Sequence, residues 1–122
     1  MNLSDISGLG KITKEIEPLK DIKIIAHSLS VKEEEEIYEE LSKCKDDALV
    51  KTTALQIETL SRSIESINGQ KFFEVKVIRE YLKGIQRHLL TGIWLTWVKE
   101  IEEPSLTTIT DLKKNSEPPK AA

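Results

Sequence analysis

"LVKTTALQIETLSRSIESING", residues Leu49–Gly69, carries the strongest periodic pattern of the chain. Its apolar residues recur at spacings of three and four, which places them on one side of an α-helix of about five turns. They are Leu49, Val50, Ala54, Ile57, Leu60, Ile64 and Ile67. Asp46 or Asp47 can cap the start of this helix. Asn68-Gly69 can end it, because both residues tolerate the left-handed backbone conformation.

Two shorter amphipathic segments follow this turn. The first starts near Glu74 and carries Val77, Ile78, Tyr81, Leu82 and Ile85. The second carries Leu89, Leu90, Ile93, Trp94, Trp97, Val98 and Ile101. Gly84 and the polar pair Gln86-Arg87 favour a break between them, although one long helix with a tolerated glycine is the alternative. Pro104 is predicted to end the last helix.

The residues before the long stripe predict one more helix and one strand. Ser30 and Glu33 have the spacing of a capping box, so a helix is expected from about Val31 to Cys44. Ile22–Ala26 is a short β-branched run that is typical of a strand. A single strand needs a partner for its open backbone groups. That partner is either the N-terminal arm folded back or a strand of another chain.

These segments predict a single domain with a mainly α fold, about four helices and a short N-terminal β element. The expected division is a flexible N-terminal arm over 1–18, a helical domain over 19–103 and a disordered tail over 104–122. The tail follows from a shift after Pro104 to Ser, Thr, Lys and Pro.

Composition excludes several classes of function. The 122 residues carry a net charge of −3, so no global positive field would attract nucleic acid. No apolar run approaches the roughly 20 residues that span a bilayer. The N-terminal residues lack the pattern of a signal peptide, and the single Cys44 cannot form an internal disulfide. We therefore expect an intracellular protein that binds neither nucleic acid nor membrane.

Catalytic, metal and cofactor sites find no support in the pattern. His27 and His88 stand without a motif around them, and Cys44 lies at a helix end, where a thiolate is disfavoured. The run Glu33–Glu36 points in successive directions about 100° apart, so it does not converge on one ion. Gly8-Leu9-Gly10 lacks the length and the lysine of a phosphate loop. The chain is expected not to be an enzyme and to need neither cofactor nor metal.

The last helix carries more apolar surface than one buried face requires. Trp94 and Trp97 share a face because they are three residues apart, and tryptophan is a favoured interface anchor. The candidate partner-binding residues are Leu90, Ile93, Trp94, Trp97 and Ile101. Burial of both tryptophans in the domain's own core is the alternative, and the pattern does not separate the two.

The order of these segments resembles the small tail assembly chaperones of tailed bacteriophages and the related baseplate-hub chaperones. The resemblance covers Ile22 to Glu103. It is carried by the helix start at Leu29–Ile37, by Leu55–Gly69 and by the tyrosine- and tryptophan-containing helices of Tyr81–Glu103. Within Leu55–Gly69 the recurring family pattern is matched by Glu58, Thr59, Leu60, Arg62, Ile64, Ser66, Ile67, Asn68 and Gly69.

The resemblance implies a protein that holds the tape-measure protein, or another tail part, until tail assembly uses it. It implies the cytoplasm of the infected bacterial host, or the virion, as the location. Many such chaperones also have a longer form made by ribosomal frameshifting, which a protein sequence alone does not show. The alternatives are a structural minor tail or baseplate subunit of the virion, and a small helical adaptor or antitoxin. Self-association into a homo-oligomer is left open.

Overall fold

Helices dominate the structure, a computed structural model that describes residues 9–107. The elements in chain order are β1 (Thr13–Leu19), β2 (Ile22–His27), α1 (Val31–Ser42), α2 (Ala48–Ser63), β3 (Ile64–Ile67), β4 (Gln70–Lys71), α3 (Val75–Lys83), α4 (Arg87–Trp97) and a π-helical turn (Val98–Glu102). The prediction of a mainly α fold is confirmed. The expected short β element is instead a four-stranded antiparallel sheet.

The sheet has the strand order β1-β2-β3-β4, and its first strand comes from the predicted arm. Thr13 pairs with His27 and Ile16 pairs with Ile24. The predicted arm boundary at residue 18 therefore falls inside a strand, and the arm itself supplies the partner that β2 needs. The two strands are joined through Asp21, whose φ of 67° lies in the left-handed region. Residues 1–8 of the predicted arm lie outside the described residues.

The end of the long stripe forms a strand rather than the last turns of a helix, which corrects the prediction for Ile64 and Ile67. α2 stops at Ser63, and β3 pairs with β2 through Ile67 and Ile24. Asn68 and Gly69 have φ values of 48° and 81° and connect β3 to β4. Positive φ at both residues defines the hairpin turn that Asn-Gly favours most strongly. The dipeptide therefore closes a hairpin instead of ending a helix.

The predicted helix starts and the predicted break are confirmed. At α1, the Ser30 hydroxyl accepts from the Glu33 backbone N–H, and the Glu33 carboxylate accepts from the Ser30 backbone N–H. At α2, Asp47 is the capping residue and accepts from the Val50 N–H at 3.0 Å. Gly84 ends α3, so α3 and α4 are separate helices.

Pro104 does not end the last helix, because helical conformation continues over 103–107. In a regular α-helix the proline ring would clash with the carbonyl four residues earlier. The turn Val98–Glu102 is π-helical, and the Glu103 N–H donates to the Val98 carbonyl five residues back. A wider turn of this kind accommodates an interruption of the helical hydrogen bonds. The rest of the predicted tail, 108–122, lies outside the described residues.

One core lies between the inner face of the sheet and the helices. The sheet contributes alternating residues, since Ile24 and Ala26 are buried while Ile25 between them is exposed. The remaining members come from α2, α3, α4 and the π-helical turn. The core cluster is Ile16, Ile24, Ala26, Ile57, Leu60, Ile64, Ile78, Leu82, Leu90, Ile93, Trp97 and Ile101.

Candidate protein-binding groove

The face predicted to bind a partner is part of the core. Leu90, Ile93, Trp97 and Ile101 are at most 4% exposed, which corrects the prediction that they form a binding surface. Trp94 is half-buried and stacks on Trp97, with ring centroids 5.3 Å apart. The reason is the sheet: α4 and the π-helical turn pack against β1, so the apolar excess of the last helix is covered within the chain.

Trp97 is also held by a buried hydrogen bond. Its indole N–H donates to the Ser63 hydroxyl at 2.7 Å, and that hydroxyl donates to the His27 carbonyl at 2.5 Å. Ser63 is fully buried at the point where α2 passes into β3. The relay joins α4, the end of α2 and the end of β2, and it satisfies three polar groups that would be costly to bury alone.

The two histidines and the cysteine lie in different parts of the fold. His27 places its ring nitrogens 2.9 Å and 3.0 Å from the carboxylates of Glu65 and Glu33, which ties β2 to β3 and α1. Burial alone would raise the pKa of Glu33, but hydrogen bonds from Ser30 and His27 outweigh it and lower that pKa. His88 is exposed, and Cys44 is partly exposed after the end of α1.

A groove lies between the C-terminal end of α1, the first turns of α2 and α3. Its volume of about 670 Å³ lies within the about 300–1,000 Å³ that is typical of ligand sites. Its apolar lining comes from α2 and consists of Leu49, Val50, Ala54 and Ile57. Leu49 is 64% exposed and Val50 is 42% exposed, although both belong to the apolar stripe of α2. The groove therefore presents apolar surface that residues 9–107 leave uncovered.

The rim of this groove is positively charged. Five cationic side chains line it, namely Lys43, Lys76, Arg79, Lys83 and Arg87, against the three carboxylates of Glu40, Glu58 and Glu80. All three carboxylates contact a cation of the groove. Within residues 9–107, Lys76 and Arg87 make no ion pair, and the Arg87 guanidinium donates to the Thr53 hydroxyl at 3.0 Å. A locally cationic groove on a chain of net charge −3 favours an acidic ligand.

A buried charge network connects the groove to the three helices around it. The Glu58 carboxylate accepts two hydrogen bonds from Arg79, at 2.7 Å and 2.8 Å, and one from Arg62 at 2.9 Å. Arg62 also donates to Glu36 at 3.2 Å. Burial raises the pKa of Glu58, but the hydrogen bonds from Arg79 and Arg62 outweigh it, so the pKa is lowered from its ordinary value of 4.5. The network fixes α3 against α2 and so sets the width of the groove.

The spacing of cationic residues in the sequence indicates the charged rim of this groove, and the predictions from sequence did not use it. Lys76, Arg79 and Lys83 recur at spacings of three and four, which places three cations along one side of α3. Leu49 and Val50 belong to the apolar stripe of the predicted helix, and periodicity alone does not tell which end of a stripe is covered. The packing of α1 and α3 against α2 leaves these two residues exposed.

No family model, curated protein or solved structure matches this chain. Within the part of the chain that the structure describes, no helix has both the length and the apolar character to cross a membrane.

Proposed function

We propose that this protein binds a helical segment of a protein partner in the α1–α2–α3 groove, as an assembly chaperone of a tailed bacteriophage. The partner is the tape-measure protein or another tail or baseplate protein. The observation that carries the binding proposal is the pairing of uncovered apolar residues, Leu49 and Val50, with a cationic rim.

This pairing suits one recognised mode of peptide recognition. An amphipathic helix can lay its apolar face into a groove through anchors spaced three, four and seven residues apart. Those anchors would contact the apolar lining residues of α2, namely Leu49, Val50, Ala54 and Ile57. Lys76 and Arg87, which make no ion pair within residues 9–107, would face acidic residues that flank the apolar face of the partner helix. The occupant is therefore an acidic amphipathic helix.

The chaperone role is supported by the sequence resemblance and by the chemistry of the partner. A tape-measure protein is long and helical and exposes apolar seams before the tail encloses it. The segment that resembles the tail chaperones most closely, Leu55–Gly69, forms most of α2, β3 and the hairpin turn. It shapes the core, whereas the groove also depends on Leu49, Val50 and α3. The binding proposal thus rests on the exposed apolar residues and cations of the groove, whereas the family proposal rests on the sequence resemblance.

Leu49→Asp should abolish the ability of the protein to keep the tape-measure protein of the same phage soluble when the two are co-expressed. The new charge would lie in the apolar lining of the groove, where a bound partner helix would bury an unpaired carboxylate at a high cost in free energy. Leu49 lies in the first turn of α2, so the added negative charge is compatible with the helix dipole and folding should be preserved. The measurement is the fraction of tape-measure protein in the cleared lysate.

Val31→Asp is the matched control for this experiment. Val31 is 72% exposed in the first turn of α1 and does not line the groove, so the same change of charge should leave the solubilising effect intact. Equal loss in both variants, or none in Leu49→Asp, would contradict the proposal. Stoichiometric presence of the protein in purified phage particles would instead identify a structural subunit of the virion.

A further inference from the structure

A second cleft lies between the first half of α1 and the end of α4. Its volume is about 250 Å³, below the about 300–1,000 Å³ of sites that hold drug-sized ligands. Leu55 and Thr59 of α2 line it, whereas Ala54 and Glu58 of the same helix line the groove. The two concave features are therefore on different sides of α2.

The charged residues that line this cleft are acidic. They are Glu34 and Glu102, and no lysine, arginine or histidine among residues 9–107 borders the space. Neither carboxylate makes an ion pair within residues 9–107. A smaller cleft of about 160 Å³ shares both glutamates and Trp97 and continues toward Ser105. Two carboxylates without an ion-pair partner among residues 9–107 thus border both clefts.

The other distinctive lining of the cleft is aromatic. Tyr38, Trp94 and Trp97 border it, and the two indoles are stacked with an interplanar angle of 20°. The Trp97 N–H is already donated to Ser63, so this indole has no free donor to offer a ligand. Aromatic rings attract cations, tryptophan most strongly, and the attraction increases where water is excluded.

We propose that this cleft binds a cationic side chain, lysine or arginine, presented by a protein partner. Tyr38 and the exposed part of Trp94 would contact the aliphatic stem and the cationic head, while Glu34 and Glu102 would neutralise the charge. The small volume fits one side chain better than a larger ligand. Among the described residues the site shares no lining residue with the groove, so it can be tested independently of the function proposed above.

The two tryptophans of the chain both lie at this cleft, so their signals report on it without any label. The probes are the capped tripeptides acetyl-Ala-Lys-Ala-amide and acetyl-Ala-Gln-Ala-amide, titrated into the full chain at millimolar concentrations. Binding is followed through the two indole N–H resonances. The lysine peptide should shift both resonances saturably, with an affinity about tenfold higher than that of the glutamine peptide.

Charge variants separate recognition of the cation from general attraction to an acidic protein. The double variant Glu34→Gln with Glu102→Gln should weaken the lysine peptide about tenfold. Glu35→Gln with Glu103→Gln removes the same charge from neighbouring exposed positions outside the cleft, and it should leave the affinity nearly unchanged. No saturable shift with the lysine peptide, equal affinity for the glutamine peptide, or equal weakening in both double variants would overturn the proposal.

Discussion

Trp97→Ala should lower the free energy of unfolding by about 3–5 kcal/mol, the range for removing a large aromatic side chain from a core. Trp97 is 3% exposed and is packed within the core cluster. The substitution would also remove the N–H donor that the Ser63 hydroxyl accepts from. Both effects act in the same direction, so the variant is expected to be the least stable single alanine variant of α4.

Urea unfolding followed by far-ultraviolet circular dichroism measures this loss. Leu95→Ala is the control on the same helix, because Leu95 is 61% exposed and its loss should change stability by about 0.5 kcal/mol or less. If Trp97 were reserved for a partner, Trp97→Ala would be nearly as stable as the unmodified protein. A loss below about 1 kcal/mol would therefore contradict its assignment to the core.

Glu58→Ala should also lower the free energy of unfolding by about 3–5 kcal/mol, because it breaks a buried ion pair and leaves Arg62 and Arg79 without this carboxylate. The side chain of Arg62 is 7% exposed, and that of Glu58 is 8% exposed. Without the Glu58 carboxylate, Arg62 would keep Glu36 as its one carboxylate partner and its hydrogen bond to the backbone carbonyl of residue 58. Arg79 would lose both of its charge-assisted hydrogen bonds. The cost comes mainly from cations that remain desolvated without a carboxylate.

Glu36→Ala is the matched control, since it removes the other carboxylate that contacts Arg62. The Glu36 side chain is 43% exposed, so its loss should cost about 1 kcal/mol or less, as for other ion pairs near the surface. Urea unfolding of both variants at neutral pH measures the difference. Similar losses in the two variants would show that the Glu58 network does not hold α3 against α2.

The lowered pKa of Glu58 also predicts the direction of a pH effect. A carboxyl group whose pKa is lower in the folded than in the unfolded state stabilises the fold above its ordinary pKa, here 4.5. This stabilisation decreases as the pH falls below 4.5, and it is lost once the pH is below the lower pKa that Glu58 has in the folded state. Glu58→Ala should therefore lose less stability than the unmodified protein over this acidic range. Parallel losses would contradict the predicted coupling.

The helices could be predicted from the sequence where local chemistry decides them. Ser30 and Glu33 form a capping box from residues three apart, and Gly84 separates two segments by its low helix propensity. Such features act within one or two turns, so no tertiary contact is needed to recognise them. The four helices were accordingly expected close to where they form.

The sheet was underestimated because its strands are defined by partners distant in sequence. Ile64 and Ile67 fit a helical spacing as well as a place in a strand, and only pairing with β2 decides between them. Once β1 joins the sheet, it packs against α4, and four of the five residues predicted to bind a partner become core, while Trp94 stays half-buried. The groove was missed for the same reason. Whether Leu49 is covered depends on where α1 and α3 lie.

The rate of Cys44 alkylation tests the central claim, that the groove binds an acidic amphipathic helix. Cys44 is the single cysteine of the chain and borders the groove, so an occupant should shield it from iodoacetamide. The probes are two helical peptides with the same leucine face, one flanked by glutamates and the other by lysines. We expect the glutamate-flanked peptide to slow alkylation saturably, with a weaker effect at high salt, and the lysine-flanked peptide to have little effect. Unchanged alkylation with the glutamate-flanked peptide, or equal slowing by both, would contradict it.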